Sequence, residues 1–272
     1  MYLVALLYQQ KMCKFVPSNV DCSLKVRDEY SLIIACVGVG NVGQLCMDVL
    51  ISSLEPVFVG YLNSPSVPPI VGSSPYPELI SSPSLACSLE LYDDDSRKLS
   101  FLQVRVPVFS GARDQFSKEI AHFVSEQKFS RVILLSSSFA MTRKDRQLRG
   151  PPLQFTSTHP SDDLEALSRI GLSQLTREEV FDYDSHNGQM ALNLPGSGAT
   201  LSIYSSLEKL KSVPTTLLNM FTCDGDNRND AFFMAHAING WLKINPAEGV
   251  EPWKTPECWK MLFGSAYDPA LY

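Results

Sequence analysis

Residues 31–54, "SLIIACVGVGNVGQLCMDVLISSL", hold an apolar run, three glycines and a second apolar run of different period. Ser31–Val37 is continuously apolar after its first residue, the pattern of a strand covered on both faces. Beyond the glycines, Val42, Leu45, Cys46, Val49 and Leu50 recur at i, i+3, i+4, i+7 and i+8, the apolar stripe of a helix. "PVFVGYL" (56–62) reads as the next strand. Strand, tight turn, helix and strand make a compact βαβ unit whose strands run parallel. The fold class that follows is α/β.

Gly38, Gly40 and Gly43 spell a complete G-x-G-x-x-G, the phosphate cradle of dinucleotide-binding folds. The rest of that fingerprint is an acid about 20 residues on, at the end of the second strand, to take the ribose hydroxyls. Here that strand ends in Asn63 and Ser64, and Glu55 stands at the wrong end. No G-K-[ST] follows, which excludes a P-loop. Two readings remain. Gly40, Asn41 and Gly43 form a structural turn, where glycine supplies positive φ and close helix–strand packing, or the GVGNVG turn serves a nucleotide- or nucleoside-binding enzyme.

Working outward, 63–86 is rich in Ser and Pro and reads as a long loop with little regular structure. "CSLELYDDDSRKLSFLQVRVPV" (87–108) alternates on both sides of an acidic turn, as a hairpin does. "ARDQFSKEIAHFVSEQ" is a helix burying Phe116, Ile120 and Phe123, and "SRVILLSSS" (130–138) a core strand with a serine tip. "SDDLEALSRIGL" carries an N-cap serine and first-turn acids, a helix start. A glycine-rich turn and helix follow in "LPGSGATLSIYSSLEKL", then a strand in "VPTTLLNMFTC" and a final helix in "DAFFMAHAINGWLKI". The last stretch, 252–272, holds two of the three tryptophans and too much apolar mass for a free tail. Residues 23–272 therefore read as one α/β domain with an ordered C-terminal arm, and 1–22 as an N-terminal extension. Its apolar run lacks a basic n-region and a small-residue cleavage site, and Met12 offers an alternative start.

The 272 residues are 44% hydrophobic, ample for a core, and the formal charge of −6 excludes a general nucleic-acid binder. No stretch reaches the roughly 18 uncharged apolar residues of a membrane span. The seven cysteines are odd in number and scattered without C-x-x-C, which suits a reducing compartment better than a disulfide framework or zinc site. His122, His159, His186 and His236 lie far apart, with no His pair at i, i+4. "DGDNRND" (224–230) has Arg228 at a calcium-ligand position and no closing Glu, so it reads as an acidic helix start. The serines of "LLSSSF" lack a G-x-S-x-G elbow. No catalytic residue, cofactor or metal is expected. Arg143, Lys144, Arg146 and Arg149 in "RKDRQLR" form a candidate patch for a protein partner. Ala270, Leu271 and Tyr272 place apolar groups beside a carboxylate, the form of an anchor for a partner's pocket.

The stretches "VGNVGQLCMDVLISSL", "VPPIVGSSPYPE", "SRVILLSSSFAMTRKDRQLR", "DGDNRNDA" and "PWKTPECWKMLFGSAYDPALY" occur in this order over nearly nine-tenths of the chain. In combination they resemble the eukaryotic proteasome assembly chaperone 2 family. The resemblance implies a three-layer α/β sandwich with a mostly parallel central sheet, like nucleoside phosphorylases but without their catalytic site. It implies no enzyme but a cytoplasmic and nuclear chaperone, paired with proteasome assembly chaperone 1. That heterodimer promotes proteasome α-ring formation and prevents aberrant α-ring dimerisation, its C-terminal tails entering pockets between α subunits. The related tail motif is hydrophobic-Tyr-X, which Ala270-Leu271-Tyr272 matches in part. Residues 1–13 have no counterpart in the resemblance.

Overall fold

In the computed structural model, the described residues are 12–19, 22, 25–79, 85–159, 162–182, 187–245 and 253–262. The element order is β1 (Lys14–Pro17), β2 (Ser31–Ala35), α1 (Val42–Leu54), β3 (Val57–Asn63), β4 (Val71–Ser73), β5 (Leu85–Cys87), β6 (Leu89–Asp94) and β7 (Leu99–Val104). The second half runs α2 (Arg113–Gln127), β8 (Arg131–Phe139), β9 (Leu153–Ser157), α3 (Asp162–Arg169), β10 (Ser173–Gln174), β11 (Glu178–Asp182), β12 (Asn187–Ala191), α4 (Thr200–Leu210), β13 (Thr215–Thr222) and α5 (Arg228–Leu242).

Nine strands form one mixed sheet in the order β1-β3-β6-β7-β2-β8-β13-β9-β10. Its centre, β7-β2-β8-β13, is parallel throughout. Every residue of β2 and β13 is buried; the apolar run of β2 is what two covered faces demand, and β13 buries Thr215, Thr216, Asn219 and Thr222 along with its apolar residues. Helices α1, α3 and α5 cover one face, where Ile33, Ile133, Leu135 and Leu218 point. On the other face α2 and α4 cover Leu32, Ile34, Val132, Leu134 and Leu217. Neighbours in sequence go to opposite faces because strand side chains alternate. The result is the expected three-layer α/β sandwich.

The βαβ unit is realised with a difference. Strand β3 runs in the same direction as β2, but the hairpin β6–β7 is inserted between them. The hairpin brings its own apolar surface to both layers, Tyr92 and Phe101 on one face and Leu91 and Leu102 on the other. Two further differences are local. The Ser/Pro-rich segment is not wholly irregular, since β4 and β5 pair antiparallel across it. Lys14–Pro17, inside the segment read as an N-terminal extension, adds edge strand β1 against β3.

Cysteines follow the core. Cys13, Cys36 and Cys46 are buried and Cys223 is exposed. Burial pushes the thiols of Cys13 and Cys36 up to about 12, and that of Cys46 up as well. A thiol at about 12 is roughly one part in 10⁴ thiolate at pH 8, and thiolate is the reactive form. Brief alkylation of the native protein at pH 8, mapped by mass spectrometry, is therefore expected to modify Cys223 and spare these three until the chain is unfolded.

Candidate functional site

The carboxyl ends of the parallel strands are where an α/β sheet places a ligand, above all where the strand order reverses, here between β2 and β8. The glycine turn sits at that point. Gly40 has φ 59° and Asn41 φ 53°, both left-handed, so the chain reverses sharply before α1. A Cβ on Gly40 would lie 2.1 Å from Asn227 Nδ2, and one on Gly43 would lie 2.8 Å from the Leu135 carbonyl of β8. The first glycine admits a neighbouring side chain, and the second lets α1 start directly against the sheet.

Protein groups fill the space above this turn. The Val39 amide donates to the Gly196 carbonyl (3.0 Å), and the Asn41 amide to the Gly38 carbonyl (3.0 Å). Ser137 Oγ donates to the Val39 carbonyl (2.7 Å). Asn227 Nδ2 donates to the carbonyls of Cys223 (3.0 Å) and Gly225 (3.1 Å), with the Gly40 carbonyl at 3.4 Å. Two amides a phosphate cradle would use are thus engaged by carbonyls, and the loop after β2 is stitched to β8 and to the loops after β12 and β13. The serine tip has a structural use too, since Ser138 Oγ accepts from Asn219 Nδ2 (2.8 Å) inside the sheet. Beside the turn lies a cleft of about 230 Å³, lined mainly by apolar groups including Cys36, Val104, Val106 and Ala199, with Arg113.

In the 224–230 segment Asp226 is paired with Arg228, and Asp230 faces Thr222 Oγ1 at 2.7 Å. Among the described residues no group of three or more His, Cys, Asp or Glu is placed to hold a metal ion, and no helix is long and apolar enough to cross a membrane.

The basic segment after β8 is more ordered than its composition announces. Thr142 Oγ1 donates to the Phe139 carbonyl (2.7 Å), and the Arg143 guanidinium lies over the Phe221 ring (5.7 Å) while donating to the Gln147 carbonyl. Lys144 Nζ reaches Glu178 at 3.9 Å, and Arg149 is exposed. Met141 is 87% and Leu148 59% exposed, so the surface is basic and apolar together. The Arg146 side chain lies outside the described residues, as do Ala270, Leu271 and Tyr272.

What the structure does describe is the root of the C-terminal arm. Trp253 and Trp259 are buried against α1 and α5, Trp259 edge-on to Phe232 (5.6 Å) and Trp253 edge-on to His236 (6.2 Å). The Lys254 amide donates to Ser53 Oγ (2.9 Å), and its ammonium pairs with Glu55. Trp259 Nε1 donates to Asp48 Oδ2 (3.3 Å). Asp48 Oδ1 accepts from Tyr76 OH (2.6 Å) and Gln103 Nε2 (3.1 Å), with Arg105 Nη1 at 4.0 Å. Arg105 in turn pairs with buried Glu90 (2.7 Å) and lies over the Tyr76 ring. Burial raises the Asp48 pKa, opposed by the Arg105 charge and by the three donors.

Asp48 is the residue that sequence reasoning passed over. In sequence Gln44, Asp48 and Ser52 stand at i, i+4 and i+8 and read as a polar stripe facing water, yet only Gln44 and Ser53 of α1 escape burial. A buried acid has to find donors.

With this geometry in hand, comparison with known proteins is direct. A model of the PAC2 family matches residues 32–192. Proteasome assembly chaperone 2 of Danio rerio is 34% identical over 248 residues, covering 89% of this chain and 95% of that protein. The Homo sapiens protein of that name is 33% identical over 254 residues, covering 89% and 95%. Among solved structures, Pyrococcus furiosus PbaA, an archaeal homolog of proteasome-assembly chaperone, superposes with a TM-score of 0.61 at 16% identity, covering 88% of this chain and 89% of that one. PbaB of the same organism, an archaeal proteasome activator, gives 0.58 at 16% identity, covering 89% and 92%. The archaeal proteins share the fold. The chain belongs to the PAC2 family.

Two expectations concern the turn. Gly40→Ala is expected to lower unfolding free energy by about 2–4 kcal/mol, from left-handed strain and displacement of the Asn227 hydrogen bonds. Asn41→Gly, which relieves the same strain without a clash, is expected to stay within about 0.5 kcal/mol of wild type or above it. Denaturant titration of the two variants checks both. Thermal-shift titrations with NAD(P), ATP and nucleosides are expected to give no saturable shift.

Proposed function

We infer that this chain is an assembly chaperone for the proteasome core particle and not an enzyme. It pairs with proteasome assembly chaperone 1, and the heterodimer promotes α-ring formation and prevents aberrant α-ring dimerisation in the cytoplasm and nucleus. The observation that carries this is the 33–34% identity, over nine-tenths of the chain, to vertebrate proteins named proteasome assembly chaperone 2. Two features of the molecule support it. Two amides of the glycine turn are engaged by the protein's own carbonyls, and a mixed basic and apolar loop around Lys144, Arg149, Met141 and Leu148 faces outward.

In this reading Ala270, Leu271 and Tyr272 dock in a pocket between α subunits. Burying Leu271 and Tyr272 is worth roughly 1.5–3 kcal/mol each, before ordering costs reduce it. A net ~2 kcal/mol corresponds to about thirtyfold in affinity. Deleting Leu271 and Tyr272 is therefore expected to weaken capture of co-expressed α subunits about thirtyfold while the heterodimer survives. Pull-down with both partners measures it, and undiminished α-subunit recovery would refute tail docking.

A further inference from the structure

The last ten residues, 263–272, follow directly on a segment that is fastened to the body by buried side chains. Such a stretch spans at most about 35 Å fully extended. Where it starts therefore limits which pockets it reaches and at what effective concentration. The start is set by the short helical turn Glu257–Met261, whose Trp259 is buried.

Two contacts of the Trp259 side chain differ in kind. Its buried ring packs on Phe232 of α5, which holds it against the helix layer without directing its N–H. Its N–H meets Asp48 Oδ2 of α1, which fixes one position and one orientation. The other carboxylate oxygen is held from two further directions, by Tyr76 of the segment after β4 and by Gln103 of β7. Asp48 is thus held through Oδ1 independently of the indole on Oδ2. A buried carboxylate with a fixed second oxygen is a specific receptor for one N–H donor.

We propose that Asp48 and Trp259 are positioning residues, whose hydrogen bond fixes the point from which the C-terminal tail leaves the body and so presents the tail to its α-ring pocket. This rests on the reading of that tail as an α-ring ligand. Neither residue touches the partner; both act through the segment that does.

The chemistry supplies two independent ways to break the same bond. Trp259→Phe keeps the ring contact with Phe232 and removes the N–H donor. Asp48→Asn keeps one carbonyl oxygen for Tyr76 and Gln103, and sets its amide donor against the indole donor. Each variant, made in the full chain and purified as the heterodimer with proteasome assembly chaperone 1, is assayed for binding to the purified proteasome core-particle α-ring. Both are also made in a background lacking Leu271 and Tyr272. Hydrogen exchange over 253–262 reports the root directly.

The expected result is that each variant weakens binding about five- to tenfold and speeds exchange over 253–262, with the heterodimer intact. In the truncated background neither variant has a further effect, because the side chains that dock are gone and positioning the rest of the tail gains nothing. A merely structural defect would weaken binding equally in both backgrounds, and that outcome overturns the proposal. So does a truncation effect that neither variant reproduces, which sinks the positioning role alone. A truncation without effect sinks tail docking itself, and this proposal with it.

Discussion

A carboxylate taken out of water has to be given donors, and the Asp48 carboxylate collects them from three separate stretches of chain. Tyr76 comes from the segment after β4, Gln103 from the β6–β7 hairpin and Trp259 from the C-terminal arm, while Arg105 adds a positive charge at 4.0 Å. Each of these stretches lies far from α1 in sequence. An apolar residue at position 48 would tolerate several packings of the arm on α1, whereas a buried acid tolerates the one that satisfies it. The ionised group still carries a desolvation penalty, which is why its pKa is raised despite its partners. Its contribution is therefore better understood as specificity of arrangement than as net stability.

The carboxyl ends of the strands make the complementary point. A glycine turn at a strand-order reversal is the usual setting for a ligand, yet here Ser137, Gly196 and Asn227 meet the turn with protein hydrogen bonds. The same backbone freedom that elsewhere lets a phosphate approach lets Asn227 approach Gly40. The turn joins three loops, and the outward-facing chemistry lies beside it, on the ordered loop carrying Met141, Lys144, Leu148 and Arg149.

Much of this architecture was legible in the residues. Patterns that depend on one element at a time came through: the covered runs of β2, β8 and β13, the stripe of α1, and the hairpin either side of the acidic turn. The hairpin's insertion between β2 and β3 was not legible, because strand order is decided by which apolar faces complete both layers and not by any local period. Strand β1 was missed because four residues at a sheet edge, alternately exposed, leave almost no apolar signal. The Asp48 cluster was hidden for a related reason. Its members stand at positions 48, 76, 103, 105 and 259, and only the fold brings them to one point.

The account as a whole stands or falls on what this protein binds. The most direct measurement is affinity purification of the tagged full-length chain from its own cells, followed by quantitative mass spectrometry. Proteasome assembly chaperone 1 recovered in equal amount, together with proteasome α subunits, is the predicted result. Recovery of the chain with neither would contradict it.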